Sequence, residues 1–285
     1  MILPLFWSFW CDNSNKIPCC LFQLVLLSQI LQVAFSSRYD RAITIFSPDG
    51  KLEQVEYAAK AVQIGSPVVA LSNDLDTIVI CCEKTTGHKL QNPAKFQKIL
   101  KIDEHIHMAF AGLRADGRVL SQMLKVECQQ YRFSNGQAPP LEYVASRVAD
   151  IQYGNTRRPG ARPFGVSCLL AGFGENGHPR VFRIDPSGNY AEWRGVALGR
   201  GADALEGALL AVEADFSQAG PEKLTTLALR TVLNSMDTSS ENSCCEIVVL
   251  HQKDGIAKIS HMEAVRKAED LGEAILWSEE YVCEL

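Results

Sequence analysis

The chain has 285 residues, of which 47% are hydrophobic and 21% charged, as in a folded protein with one sizeable core. Its formal net charge of -5 argues against a general affinity for nucleic acid, and no long basic run offsets that charge. The ten cysteines include adjacent pairs but no C-x-x-C. Because neighbouring strand residues point to opposite faces, such pairs make poor metal or disulfide sites, and we expect reduced thiols in a cytosolic protein.

The first 36 residues differ from the rest of the chain. The apolar run "CLFQLVLLSQILQVAF", from Cys20 to Phe35, resembles a signal peptide or a membrane anchor. It is shorter than the roughly 20 residues of a membrane span, and Lys16 is the only basic residue before it. We therefore exclude residues 1–36 from the fold, assign residues 37–285 to one domain and expect no membrane contact. A genuine anchor is the alternative.

A turn and a helix open this domain. The residues Ser47-Pro48-Asp49-Gly50 have the chemistry of a reverse turn, since proline presets φ and glycine tolerates a positive φ. Apolar residues then recur at helical spacing: Leu52, Val55, Ala59 and Val62. This period predicts a helix from about Leu52 to Gln63, with Gly65 as its stop.

The next segments predict strands and then helices. "PVVALSND" and "DTIVICCEK" read as a hairpin, "TTGHKLQNPAKFQK" as a loop, and "ILKIDEHIHMAFAGL" as two more strands of an antiparallel sheet. In "RADGRVLSQMLKVECQQYRF" a helix is expected to bury Val119, Met123 and Val126, a stripe that Leu120 and Leu124 widen. A second helix, from about Leu141 to Tyr153, follows a Pro-Pro break.

The second half repeats this order. "VSCLLAGF", "PRVFRID" and "YAEWRGVALG" predict strands, and helices are expected over Ala202 to Asp215 and Pro221 to Met236. "CCEIVVLHQ" and "IAKISH" predict a last hairpin, and an acidic helix begins at about Met262. Because each sheet has one helix-covered face, the other must be buried. We predict an α+β fold: a four-layer αββα sandwich of two antiparallel sheets packed face to face, with helices outside.

Several stretches closely resemble the signature sequences of one protein family. "YDRAITIFSPDG", "QVEYA", "AGLRADGR", "RPFGVS" and "DPSGNY" resemble, in order and near their spacing, the signatures of proteasome α-type subunits. The likeness runs from Ser37 to the last helix and implies the N-terminal nucleophile hydrolase fold, in agreement with the sandwich. "SSRYD", "TIFSP", "DPSGNYAEW" and "VLNSMD" favour the type-4 subclass, and "YDRAIT" is closer to type-7.

The resemblance also bears on catalysis. Catalytic β-type relatives use an N-terminal threonine whose free amine serves as the base, assisted by a lysine and an aspartate. Those three positions fall at Ser66, Lys98 and about Cys82, and a cysteine cannot supply the carboxylate. Ser66 also follows an intact helix. We therefore expect no catalytic residue; the alternative is a processed N-terminal nucleophile hydrolase that uses Ser66.

No cofactor or metal is expected. His105 and His107 lie two residues apart, but no third ligand is near them in the sequence. The segments "GLRADGR" and "GFGENG" contain glycines without the G-x-G-x-x-G spacing of a dinucleotide site.

What the resemblance implies instead is a structural and gating role in ubiquitin-dependent protein degradation. In the family, α-type subunits form heptameric outer rings on the β-type rings of the proteasome core, in cytoplasm and nucleus. The gate cluster maps to Tyr39, Asp40, Pro48 and Tyr57.

Pockets between neighbouring α-type subunits receive the C-terminal tails of activator complexes, and this site maps to Lys98 and Gly112. A lysine in such a pocket can pair with a terminal carboxylate. Lys98 is then expected to be exposed, as it would be if it were a plain surface lysine. The helix from Leu52 is expected to contact neighbouring subunits.

Overall fold

The structure, a computed structural model, describes residues 42–85, 97–174, 176–212, 217–235, 243–252 and 255–259. The helices are α1 (Glu53–Ile64), α2 (Arg114–Asn135), α3 (Leu141–Arg157), α4 (Ala202–Ala211) and α5 (Pro221–Leu233). The strands are β1 (Val68–Ser72), β2 (Thr77–Thr85), β3 (Ile99–Asp103), β4 (Ile106–Gly112), β5 (Val166–Phe173), β6 (Pro179–Ile184), β7 (Tyr190–Trp193), β8 (Gly195–Leu198), β9 (Ser243–His251) and β10 (Gly255–Ile259). Within these ranges, no helix has the length and apolar character to cross a membrane.

The strands form two antiparallel sheets of five strands each. The first has the order β10-β9-β2-β1-β8 and the second the order β3-β4-β5-β6-β7. The predicted hairpins are present, since β1 pairs with β2 and β9 with β10. The prediction that the first four strands form one antiparallel sheet was wrong, because β1 and β2 lie in the first sheet whereas β3 and β4 pair in the second.

Alternating residues of the central strands serve two layers. In β1, Val68 and Ala70 enter the core between the sheets, whereas Val69 and Leu71 face α4 and α5. The second sheet buries its other face under α2 and α3. The core between the sheets takes residues from both, including Ile80, Val248, Leu169 and Val181. This arrangement confirms the predicted αββα sandwich.

Helix α1 begins and ends within one residue of its prediction. It packs against β4 and β5, and its buried residues are Ala58 and Val62. Val62 belongs to the core between the sheets, so the C-terminal end of α1 is inserted at the edge of the sandwich. The helix ends where the N–H of Gly65 donates to the carbonyl of Val62 at 2.9 Å.

The prediction of one strand in "YAEWRGVALG" was wrong. Strand β7 pairs with β6 in the second sheet, and β8 pairs with β1 in the first. Between them, the Arg194 carbonyl accepts the N–H and the hydroxyl of Ser72 at 2.8 and 3.0 Å. A continuous β-rich sequence does not reveal a chain that changes sheets, because both halves have the same local pattern.

The predicted inward stripe of α2 was also wrong in part. Three of its residues are exposed, with exposed fractions of 37%, 45% and 55% for Val119, Met123 and Val126. The buried apolar residues are Leu120, Leu124 and Cys128. The two stripes are offset by about one residue, so periodicity alone cannot choose between them. Packing decides which stripe of α2 is buried, since Gly117 lies directly against the Phe110 ring of β4.

Several predictions lie outside the described residues. They are the run from Cys20 to Phe35, most of the loop "TTGHKLQNPAKFQK", the last residues predicted for α4 and α5, and the acidic helix from Met262. The boundary between residues 36 and 37 lies there too and stays a prediction.

Candidate functional site

Three glycines hold the C-terminal end of α1 against the sandwich. A Cβ on Gly65 would collide with the backbone nitrogen of Gly112, and a Cβ on Gly112 with the carbonyl oxygen of Gly165. Gly112 has a φ of 112°, in the region that favours glycine. The sequence-predicted site residue Gly112 therefore allows the close approach of three backbone segments.

Lys98 lies under the same end of α1. Its ammonium donates to the carbonyl oxygen of Ser66 at 2.8 Å and approaches the Ser66 hydroxyl oxygen at 2.7 Å. Its backbone N–H donates to a carboxylate oxygen of Glu246 on β9 at 3.0 Å. Lys98 thus ties the second residue after α1 to the sheet. The structure brings Gly112 and Lys98 to two consecutive residues, Gly65 and Ser66.

The expected exposure of Lys98 was wrong, because only 3% of the residue is exposed. Burial lowers its pKa to about 8, although the negative charges of Glu83 and Glu246 act in the opposite direction. Arg114 contributes to the lowering as a nearby cation. The ammonium is therefore a desolvated group with defined hydrogen-bond partners, unlike a free surface charge.

A second pair of residues, which the sequence did not single out, supports the same end of α1. The backbone N–H of Arg200 donates to the Gly65 carbonyl at 2.7 Å, and its guanidinium lies 3.1 Å from the Glu83 carboxylate. Glu83 is only 2% exposed, so this ion pair is largely desolvated on the carboxylate side. The signal that could have identified Arg200 is the G-R-G of residues 199–201 after a strand. Both Gly199 and Gly201 adopt a positive φ.

The arrangement around Ser66 is not that of an N-terminal nucleophile. Lys98 is near the hydroxyl, as it would have to be for a serine–lysine pair. However, the nitrogen of Ser66 is part of the peptide bond to Gly65, behind an intact α1, so it is not a free amine. Cys82, at the carboxylate position, is fully buried between the sheets. In the unprocessed chain the Ser66 nitrogen is an amide and cannot act as the base that this chemistry requires.

The predicted gate residues are only partly described. Tyr39 and Asp40 lie outside the described residues. Pro48 is exposed in the predicted reverse turn, where the N–H of Gly50 donates to the Ser47 carbonyl at 2.8 Å. Tyr57 is 40% exposed on α1, and the ammonium of Lys60 lies 5.4 Å from its ring centroid. These two residues remain accessible in the single chain.

The histidines are not a shared ligand pair. His105 lies in the turn before β4, with its Nε2 2.9 Å from the Pro139 carbonyl oxygen, whereas His107 is buried in β4. Among the residues that the structure describes, no three His, Cys, Asp or Glu side chains are grouped to hold a metal ion.

Comparisons with known proteins match most of the chain. A family model described as "Proteasome subunit" matches residues 62–250, and a second model, of the N-terminal signature of A-type proteasome subunits, matches residues 39–61. The chain is 41% identical over 228 residues to "Proteasome subunit alpha type-7" of Dictyostelium discoideum, which covers 80% of this chain and 89% of that protein. It is 36% identical over 228 residues to "Proteasome subunit alpha type-8" of Mus musculus, which covers 80% of this chain and 90% of that protein.

These relatives correct one prediction. A further relative, "Proteasome subunit alpha type-7-B" of Oryza sativa subsp. indica, is 39% identical over 228 residues, 80% of this chain and 89% of that protein. The names of these relatives do not support the type-4 subclass. That assignment rested on four short stretches, whereas the identity to type-7 and type-8 proteins extends over 228 residues.

Proposed function

Because this chain belongs to the family of proteasome α-type subunits, we propose that it controls substrate entry into the proteasome core and docks the C-terminal tails of activators. The chain is a structural, non-catalytic subunit of the outer ring of that core. Its role in ubiquitin-dependent degradation therefore lies in assembly and access rather than in peptide hydrolysis.

An exposed apolar face on α2 supports assembly with neighbours. It consists of Val119, Met123 and Val126. Apolar residues clustered on a helix face are typical of surfaces that another protein covers. We propose that α-type neighbours and the β-type ring cover this face.

The gating proposal rests on the N-terminal signature. All four gate positions fall within residues 39–61, the range that the signature matches. The two described members, Pro48 and Tyr57, are exposed on the turn before α1 and on α1 itself. A tyrosine hydroxyl and a rigid turn can hold a pore segment in one of two hydrogen-bonded arrangements.

A single observation carries the docking proposal: Lys98 contacts Ser66 and Gly112 contacts the adjacent Gly65, at the end of α1. Exposed Leu113 and Ile64, next to Gly112 and Gly65 in the chain, provide apolar surface there. A tail would place its side chains on that surface and its carboxylate toward the Lys98 ammonium. Since this ammonium already contacts Ser66, the carboxylate would have to share it or replace one of those contacts.

Tail-peptide binding to purified core particles tests the proposal. Lys98→Ala should weaken binding by about ten- to a hundredfold, the effect of losing one charge-assisted hydrogen bond. Lys101→Ala is the matched control, because Lys101 is an exposed lysine on β3, the strand that follows Lys98. Leu113→Ala, at a 47% exposed residue, should also weaken binding while leaving the core intact.

Native gels establish that each variant is incorporated. Normal tail affinity in particles that carry Lys98→Ala and Leu113→Ala would contradict docking at this end of α1. The finer assignments are also proposals: a ring position related to the type-7 subunits, which rests on the named relatives, and a location in cytoplasm and nucleus, which rests on the family.

A further inference from the structure

Ser66 and Lys98 form a hydroxyl–amine pair that neither gating nor tail docking requires as a unit. The Lys98 Nζ lies 2.7 Å from the Ser66 Oγ and 2.8 Å from the carbonyl oxygen of the same residue. Among the residues that the structure describes, the Ser66 hydroxyl has no other hydrogen-bond partner. The hydroxyl proton therefore has one basic group within reach, the Lys98 nitrogen in its neutral form.

The backbone fixes Ser66 from both sides. Pro67 follows it and is buried, and a residue before proline is restricted to extended backbone. The carbonyl of the preceding Gly65 accepts the Arg200 N–H at 2.7 Å. A Cβ on Gly199 would lie 2.7 Å from the Ser66 carbonyl oxygen, so this glycine packs closely on the same peptide. A fixed backbone thus holds the hydroxyl against the amine.

Burial makes the Lys98 side chain suitable as a base near neutral pH. The residue is 3% exposed, and its burial lowers the pKa to about 8. The titratable and charged groups that act on it lie on three elements: Cys82 and Glu83 on β2, Glu246 on β9 and Arg114 on α2. Arg114 lowers the pKa further, and the other three oppose the lowering without cancelling it. A lysine amine in this range takes up a proton from a neighbouring hydroxyl as the hydroxyl oxygen reacts.

The two side chains differ in their access to solvent. Ser66 is half-buried, whereas Lys98 is buried. A reagent that arrives from solvent therefore meets the hydroxyl before it meets the amine. This difference makes Ser66 the nucleophile and Lys98 the base. Neither role needs a free Ser66 amine, so the pair differs from an N-terminal nucleophile, whose own amine is the base.

We propose that Ser66 is a modification site, whose hydroxyl reacts once with an activated ester while Lys98 serves as its base. The Ser66 Oγ forms a bond to the electrophilic carbon or phosphorus, and its proton passes to the Lys98 nitrogen. The bond from that centre to the leaving group breaks, and the leaving group departs with the electron pair. The product is a chain that carries the new group on Ser66. No turnover is involved, so the non-catalytic role of the subunit stands.

A fluorophosphonate probe, incubated with the purified full-length chain, tests the proposal independently of any tail peptide. The Ser66 oxygen would displace fluoride from the phosphorus, and mass spectrometry of the digested chain locates the label. We expect one label on each chain, at Ser66. Because only neutral Lys98 acts as a base, the labelling rate should rise about a hundredfold between pH 6 and pH 9 and then level off.

Variants distinguish a reactive pair from a purely structural one. Lys98→Met removes the amine and should slow the labelling of Ser66 at pH 9 by about a hundredfold, and Ser66→Ala should abolish it. Ser134→Ala is the matched control, because Ser134 is an exposed serine at the end of α2. This control should be labelled like the unaltered chain. Circular dichroism establishes that each variant is folded.

Three outcomes would overturn the proposal. The first is an unaltered, folded chain without a label on Ser66 at pH 9, a result that depends on no variant. The second is an unchanged rate of labelling of Ser66 in Lys98→Met, since Lys98 would then be only a structural tie. The third is a rate that does not change between pH 6 and pH 9, or a label that reaches Ser134 as fast as Ser66.

Discussion

Lys98 differs most from what its sequence position suggests. A lysine at the start of a strand with charged neighbours is normally a surface residue, and nothing in the local pattern indicates burial. The structure buries it because α1 covers this edge of the sandwich, and because the Ser66 carbonyl and hydroxyl serve as its partners. Sequence reasoning proposes Lys98 as a site residue through the family resemblance, and that proposal stays a prediction, whereas its environment depends on contacts between distant segments.

The lowered pKa of Lys98 gives a pH prediction. Its folded value is about 8 against a usual 10.5, so below pH 8 both states carry the proton and the cost of burying it is constant. Between these values the unfolded chain holds a proton that the folded chain has lost, and the free energy of unfolding rises with pH, by about 3 kcal/mol in all. Lys98→Met should remove this rise.

This rise in the free energy of unfolding is measured by denaturant unfolding of the full-length chain, at several pH values from 7 to about 10.5. Other groups titrate in this range, but they do so in both proteins, so the difference isolates Lys98. An identical pH dependence in the two proteins would show that Lys98 is not desolvated.

Gly112 gives a second prediction at this scale. Gly112→Ala should lower the free energy of unfolding by ~3 kcal/mol, because the new methyl group meets the Gly165 carbonyl and the φ of 112° is unfavourable. Gly136→Ala is the control, since Gly136 also has a positive φ but no atom within 4 Å of an added Cβ. It should cost only ~1 kcal/mol. Equal losses of stability, measured by denaturant unfolding, would mean that backbone conformation alone matters at Gly112.

At the scale of elements, most of the fold could be predicted. Turn residues and hydrophobic periodicity were sufficient to place α1 and β1 to β6 along the chain, since local sequence and tertiary contacts agree there. They did not show that β1 and β2 belong to a different sheet from β3 and β4. They were not sufficient for β7 and β8, where the chain crosses between sheets at Arg194. For α2, the small Gly117 against Phe110 decides which stripe is buried, and periodicity does not contain that information.

The exposed stripe of α2 therefore becomes an assembly prediction. Met123→Glu should reduce incorporation into core particles while leaving the fold stable, because Met123 is 45% exposed and belongs to the exposed stripe beside the buried one. Gln129→Glu adds a carboxylate to the same helix without removing apolar surface, and should be incorporated normally. Native gels of cells expressing each tagged variant compare free and incorporated chains. Full incorporation of Met123→Glu would indicate that this face stays open in the complex.

For the whole molecule, the sandwich and the intact α1 determine which chemistry is available. The fold brings a lysine beside Ser66, as in a hydrolase, but the preceding α1 is held on the sandwich through Gly65, which packs against Gly112 and accepts the Arg200 N–H. Removing the chain up to Gly65 to free the Ser66 amine would take both of these contacts away, although Lys98 would keep Ser66 as its partner. The same contacts that position α1 for its proposed role at the ring therefore oppose catalysis.

The N-terminus of the chain in purified core particles tests this account most directly. A C-terminally tagged chain is isolated from cells, and the particle is analysed by native and denaturing mass spectrometry. We expect the chain in complex with other α-type and β-type subunits, with residues Glu53–Ile64 of α1 still attached to Ser66. A mature chain that begins at Ser66, or a tagged chain that is found only outside the particle, would contradict a structural, non-catalytic role in the outer ring.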